Sequence, residues 1–113
     1  MPRLVFLTKA RRDLGEIASY IQAESQSADS AIAFTDRIIG YCERLATLPA
    51  LMGRARPELR DGYRSVTLGS YVIFFRYMSE DANNRAVIEI LHIVHGSRDL
   101  EAYFRDIPME DAP

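Results

Sequence analysis

The N-terminal half of the chain carries two stripes of apolar residues at helical spacing. Between residues 9 and 24 the apolar positions recur every three or four residues, which places them on one face of a helix. A second stripe follows Ser27 and Asp29, two candidate N-terminal caps, and ends before Pro49, which stops a helix. The stripes are Ala10, Leu14, Ile17, Ala18 and Ile21, then Ala31, Phe34, Ile38, Tyr41, Cys42, Leu45 and Leu48. A short polar turn joins them, so the pattern predicts an antiparallel helical hairpin.

Short apolar runs on both sides of this hairpin predict β-strands. Residues 3–7 form the first strand, with Thr8 as the candidate cap of the first helix. After a turn-rich connector at residues 49–63, strands are predicted at 64–68, 71–77 and 86–94, separated by polar turns. Both alternating faces of 86–94 are mostly apolar, which is typical of a central strand. A short helix at 98–104, opened by Gly96 or Ser97, and a flexible tail at about 106–113 complete the chain.

These elements predict one α+β domain with the order β-α-α-β-β-β and a short C-terminal helix. The helical hairpin packs on a mainly antiparallel sheet, and 113 residues suffice for a single core. Phe34 is expected to be buried, so that its truncation would cost about 3 to 5 kcal/mol. The apolar faces of the two helices exceed what a small sheet can cover, which predicts an exposed groove.

Composition narrows the classes of function. The net charge is −2, so the overall field does not favour nonspecific nucleic-acid binding, and any polyanion site must be local. The single cysteine cannot close an internal disulfide, and the two histidines do not provide zinc-type ligand spacing. No apolar run is long enough for a signal segment or a membrane span. A cytoplasmic protein without metal or cofactor is expected.

The candidate chemistry is carried by arginines, since Lys9 is the only lysine. The guanidinium group forms bidentate pairs with carboxylates and phosphates. Four arginines lie in or beside the connector, and four further candidates lie on a strand and near the C-terminus. The candidate binding residues are Arg54, Arg56, Arg60, Arg64, Arg76, His95, Arg98 and Tyr103. No nucleophile triad, phosphate loop or metal motif is present, so no catalytic residue is assigned.

Each candidate has a structural alternative. The connector arginines either bind a partner or pair with Glu58 and Asp61 on a solvated loop. His95 either acts as an acid or base or holds the end of its strand. Arg76 either reaches a partner or pairs across the sheet with Glu89. The aromatic rings of the last helix either stack on a ligand or pin the helix to the sheet.

Several segments together resemble the ParE/RelE superfamily of bacterial type II toxins. The resemblance covers nearly the whole chain, and its most specific segments are GRARPEL at 53–59, GYRS at 62–65, YVIFFRY at 71–77 and HGSRD at 95–99. LVFLT at 4–8, Asp13-Leu14 and IASYI at 17–21 extend it toward the N-terminus. The resemblance implies a cognate antitoxin of the ribbon-helix-helix, ParD-like kind, encoded beside the toxin. That antitoxin would hold the toxin in an inactive hetero-oligomer.

The superfamily contains two activities, and the resemblance implies the ParE-like one, a noncatalytic block of DNA gyrase. The alternative is the RelE-like cleavage of messenger RNA on the ribosome, which needs several cations around the scissile phosphate. Here Val72 follows Tyr71, and Val66 lies two residues after Arg64, where ribonuclease members carry basic residues. An inactive relative that still binds antitoxin is the third reading. Arg56, Arg60 and Arg64 are expected to face acidic antitoxin residues or the target.

Overall fold

The apolar patterns form the helices and strands that they predict, in a computed structural model that describes residues 3–48, 51–78 and 86–107. The elements follow in chain order. They are β1 (Arg3–Phe6), α1 (Thr8–Ser25), α2 (Ala28–Thr47), β2 (Arg54–Ala55), β3 (Arg64–Leu68), β4 (Tyr71–Met78), β5 (Val87–His95) and α3 (Leu100–Arg105). The predicted α+β architecture is confirmed, with β2 as an additional short strand inside the connector.

The five strands form one sheet in the order β1-β5-β4-β3-β2. β1 runs parallel to β5, with Arg3 opposite Val87 and Phe6 opposite Ile90, and the other neighbours are antiparallel. β5 is buried along its whole length except at His95. The prediction that residues 86–94 form an interior strand is therefore confirmed.

Two apolar clusters lie on the opposite faces of this sheet. On β4, Ile73 and Phe75 belong to one cluster, whereas Val72 and Phe74 belong to the other. Successive strand residues point to opposite faces, so the alternation identifies the two sides. The first cluster is covered by the α1–α2 hairpin, and its buried helical residues are Ala10, Ile17, Ile38, Cys42, Leu45 and Ala46. The second is covered by α3 and the connector, through Phe104 and Tyr63.

The helix starts correct two predictions from the sequence. Leu7, not Thr8, is the N-terminal cap of α1, and it makes no side-chain capping bond because it is an apolar residue buried against the sheet. The cap of α3 is Asp99, whose Oδ1 accepts a hydrogen bond of 3.1 Å from the Ala102 N–H. Gly96 or Ser97 was the predicted cap, but both lie before the cap, and the Ser97 hydroxyl lies 2.7 Å from Nδ1 of His95.

The cap of α2 is as predicted, whereas the beginning of the tail is not. The Ser27 hydroxyl accepts a hydrogen bond of 3.1 Å from the Ser30 N–H. Asp106 closes α3 through its N–H to Ala102, and the carbonyl of Ile107 accepts a bond from Arg60, so both residues are held by the fold. The rest of the predicted tail, residues 108–113, lies outside the described residues, as do Pro49 and the predicted turn at 79–85.

Phe34 is half-buried, so the prediction of a buried ring is wrong. It packs against the cluster beneath the hairpin, with its ring centroid 5.6 Å from that of Tyr71. Since part of the ring already faces water, we expect Phe34→Ala to lower the free energy of unfolding by about 2 kcal/mol, less than for a core phenylalanine. Urea unfolding measures this value, and a loss above 4 kcal/mol would show that the ring is buried after all.

Candidate functional site

The chain's own backbone and side chains are bound by Arg56 and Arg60 of the connector and by Arg64, the first residue of β3. Arg56 donates from Nε to the Ser65 hydroxyl at 2.9 Å and from Nη1 to Glu58 at 3.3 Å. Arg64 donates to the carbonyls of Met52 and Gly53, at 2.6 and 3.0 Å. These bonds fix a connector that has little regular structure onto the edge of the sheet.

Arg60 connects the same segment to the last helix. Its Nη2 donates to the carbonyls of Phe104 and Ile107, at 2.8 and 2.9 Å. Phe104 lies in the last turn of α3, where a helix leaves carbonyls without intrahelical donors and a cation is favourable, and Ile107 lies two residues beyond the end of the helix. The guanidinium group therefore closes a helix of six residues.

We expect Arg60→Met to lower the free energy of unfolding by about 2 kcal/mol, because two carbonyls lose a charged donor. Arg54→Met is the matched control, since Arg54 is exposed on β2 and its loss should cost less than about 0.5 kcal/mol. Urea unfolding compares the two variants. Equal, small effects would mean that Arg60 does not support α3.

The remaining predicted residues lie in two other places. Arg76 pairs with Glu89 across β4 and β5, with 2.7 Å between Nε and Oε1, which matches its structural alternative. His95 lies at the end of β5, where Nδ1 accepts a hydrogen bond of 3.2 Å from the Ser97 N–H. The predicted residues are thus spread along the fold: Arg54 and Arg64 lie on β2 and β3, and Arg60 reaches the C-terminal end of α3. His95 and Arg98 lie near the start of α3.

A buried polar network joins α1, β5 and α3, and the sequence reading missed it. Asp13 is buried in α1; its Oδ2 accepts a hydrogen bond of 2.9 Å from the Ile93 N–H, and its Oδ1 pairs with Lys9. The hydroxyl of Tyr103 lies 3.0 Å from Nδ1 of the buried His92. The sequence does indicate that Asp13 is buried, because this carboxylate lies three residues after Ala10 on the apolar face of the predicted helix.

The ionisation of this network favours a structural role. Burial opposes the charge of Lys9, but the hydrogen bond and the charge of Asp13 outweigh it and raise the pKa of the ammonium group. The Tyr103 hydroxyl, which is ordinarily protonated at neutral pH, has its pKa raised further by burial. Arg98 lies over the Tyr103 ring, with 5.0 Å from its guanidinium carbon to the centroid.

The single cysteine, Cys42, is not part of this network. Burial raises the pKa of the Cys42 thiol to about 12, so it is not a nucleophile at neutral pH.

An open groove runs between α2 and the edge formed by β3 and the connector, and we call it the α2 groove. It consists of two adjoining clefts of about 290 and 450 Å³ that share Tyr41 and Arg44. The other lining residues are Leu45, Leu48, Met52, Gly53 and Val66 in the smaller cleft, and Arg37, Gly40 and Leu68 in the larger. The predicted exposed groove thus exists, but one of its walls is a strand edge.

An exposed apolar side chain lies in the wall of the α2 groove. Leu48, which lines the smaller cleft, is 40% exposed. Leu51 is 65% exposed, but it lines a different cleft with Ala55 and Tyr63. Large apolar side chains that remain in water beside a groove are typical of a surface that a partner covers.

Among the described residues, no helix is long and apolar enough to cross a membrane.

The element order, the parallel contact of β1 with β5 and the helical hairpin define the chain as a small α+β domain of the ParE/RelE type. The family described as "ParE toxin of type II toxin-antitoxin system, parDE" matches residues 4–100. This match spans most of the chain, and the chain belongs to that family.

Among solved structures, one titled "Chromosomal ParDE TA system from P. aeruginosa" has a similar fold. The TM-score is 0.67 at 25% sequence identity, over 84% of this chain and 96% of the other. A comparison with curated protein sequences found no match. The similarity extends over almost the entire length of that chain.

Proposed function

We propose that this chain is the toxin of a type II toxin–antitoxin pair, that it poisons DNA gyrase by binding, and that a cognate ParD-like antitoxin neutralises it in the cytoplasm. The observation that carries the proposal is the family match across residues 4–100. The similar solved structure comes from a ParDE system. Binding energy, rather than a chemical step, would then hold gyrase in a state with cleaved DNA.

The geometry of the arginines supports a noncatalytic mechanism. A metal-free ribonuclease needs several cations directed at one phosphate in order to stabilise the charge that develops there. Arg60 and Arg64 donate instead to backbone carbonyls, and Arg56 donates to a hydroxyl and a carboxylate. These three cations therefore support the fold, whereas Arg54 is exposed on β2.

One cluster favours the alternative, a ribosome-dependent messenger endonuclease. Lys9, Arg98 and Tyr103 come together, with the two cations 5.8 and 5.0 Å from the tyrosine ring centroid. A general base, however, works best with a pKa near the operating pH. Burial raises the pKa of Tyr103, and Lys9 is paired with Asp13, so the cluster lacks a free base and a second free cation.

The two activities can be separated with one purified toxin. We expect inhibition of gyrase supercoiling at toxin concentrations that leave translation in a cell-free extract unchanged. Messenger cleavage on ribosomes without any effect on gyrase would contradict the proposal and support the endonuclease. Neither effect, combined with tight antitoxin binding, would identify an inactive relative.

The antitoxin half of the proposal rests on the α2 groove. Its apolar floor and its arginines suit an amphipathic segment with acidic side chains. A reading frame for a ribbon-helix-helix protein beside the toxin gene, and co-purification of the two products, would support this half. If mutations on the sheet abolish binding and mutations in the groove never do, the docking surface is elsewhere.

A further inference from the structure

Gly40 is a glycine that the fold itself does not require. It lies within α2, away from both ends, where glycine is less favourable than alanine because its backbone loses more conformational freedom. A Cβ placed on Gly40 meets no heavy atom within 4 Å. Alanine would therefore fit at this position and would stabilise the free chain.

The position of Gly40 in the α2 groove indicates what the missing side chain provides. It lines the cleft of about 450 Å³ between Arg37 and Arg44. The two arginines are about two helical turns apart on the same face of α2, with Gly40 midway between them. Because Gly40 has no side chain, the groove is deeper at this point, between the two arginines. A second helix could approach α2 most closely at this point, since the side chains at a crossing set the interaxial distance.

The charges around this point identify the chemistry of the occupant. Among the described residues, no carboxylate lies within ion-pair distance of Arg37 or Arg44. The neighbouring acidic residues of α2, Asp36 and Glu43, do not line either cleft. Arg37 lies over the ring of Phe34, 5.6 Å from its centroid, a contact that leaves its charge without a counterion. The groove thus presents two cations without a carboxylate partner beside an apolar floor, which complements a helix with both acidic and apolar residues.

We propose that Gly40 is the point at which a helix of the antitoxin crosses α2, and that Arg37 and Arg44 receive acidic side chains on either side of the crossing. The inference rests on the proposed function and adds a residue that determines specificity. A side chain at position 40 fills the space of the partner helix but touches nothing in the free toxin. A side chain added at position 40 is therefore expected to raise the stability of the free toxin and to weaken antitoxin binding.

The test compares Gly40→Ala and Gly40→Met with Gly15→Ala. Gly15 is the matched control: it lies within α1, its Cβ would also meet nothing within 4 Å, and it lines neither cleft. Both alanine variants should raise the Tm of the free toxin by about 3 to 6 °C. Calorimetric titration uses the ribbon-helix-helix protein encoded beside the toxin as the probe. We expect binding about tenfold weaker for Gly40→Ala and about a hundredfold weaker for Gly40→Met, with Gly15→Ala within about twofold of wild type.

Charge variants test the flanking contacts. Arg37→Gln and Arg44→Gln should each weaken binding and reduce its dependence on salt concentration, because each removes one charge pair. If Gly40→Met binds as tightly as wild type, or Gly15→Ala loses as much affinity as Gly40→Ala, the inference is wrong while the proposed function stands. If the wild-type toxin does not bind the neighbouring protein at all, the proposed antitoxin is wrong, and the inference falls with it.

Discussion

Replacement of Asp13 by alanine is expected to lower the free energy of unfolding by about 3 kcal/mol. β1 pairs with β5 only as far as Ile90, after which the chain turns into α1. The N–H of Ile93 is then satisfied by the Asp13 carboxylate, which takes the place of a strand partner. The alanine variant leaves this buried N–H without its acceptor and Lys9 without its counterion, and urea unfolding measures the loss.

Two variants separate the hydrogen bond from the charge. Asp13→Asn keeps an oxygen acceptor for the Ile93 N–H and should lose about half as much stability as Asp13→Ala. Lys9→Met removes only the cation, which is 38% exposed, so its loss should be about 1 kcal/mol. If Asp13→Ala costs no more than Lys9→Met, the carboxylate is not a structural replacement for a strand.

Gly53→Ala is expected to destabilise the chain by about 3 kcal/mol, through strain and collision together. Gly53 has φ +76°, and a Cβ there would lie 2.7 Å from the Ser65 carbonyl oxygen and 2.9 Å from Cζ of Phe75. The collision is with the backbone of β3, which cannot rotate away as a side chain can. The carbonyl of Gly53 also accepts from Arg64, so a shift would loosen the connector beside the α2 groove.

Gly62→Ala is the control that isolates the strain. Gly62 has nearly the same conformation, φ +78°, but a Cβ there meets nothing within 4 Å. Gly62→Ala should lower the free energy of unfolding by about 1 to 2 kcal/mol, the cost of placing a residue with a Cβ in a left-handed conformation. Denaturant unfolding of both variants gives the difference. Equal losses would show that the contact with Ser65 is relieved at no cost.

The elements with a strong period could be predicted from the sequence. The apolar stripes define α1 and α2, and β5 is recognisable because both of its faces are apolar. β2 could not be predicted, because its two residues, Arg54 and Ala55, carry no pattern and pair only through the tertiary fold. The predicted cap of α3, Gly96 or Ser97, lies two or three residues before the observed cap, Asp99. All three are good capping residues, and the tertiary contacts decide which of them caps the helix.

The candidate site was less predictable than the fold. An arginine-rich connector indicates binding and self-support equally well, and the acceptors of Arg60 lie more than forty residues later in the chain. The acceptors are also backbone carbonyls, which every residue has, so no sequence pattern marks them. Arg76 and Glu89 were predictable as a pair, because adjacent strands bring alternate residues face to face. The α2 groove depends on a strand edge whose position only the fold defines.

The central claim, that the toxin poisons gyrase by binding alone, is tested most directly by the fate of the DNA. Purified toxin is incubated with DNA gyrase, ATP and plasmid, and the mixture is then treated with detergent and protease. We expect linear plasmid to accumulate with toxin concentration, and to disappear when the toxin is first mixed with its antitoxin. Intact plasmid and unimpaired supercoiling at every toxin concentration, with messenger cleaved on ribosomes by the same preparation, would contradict the account.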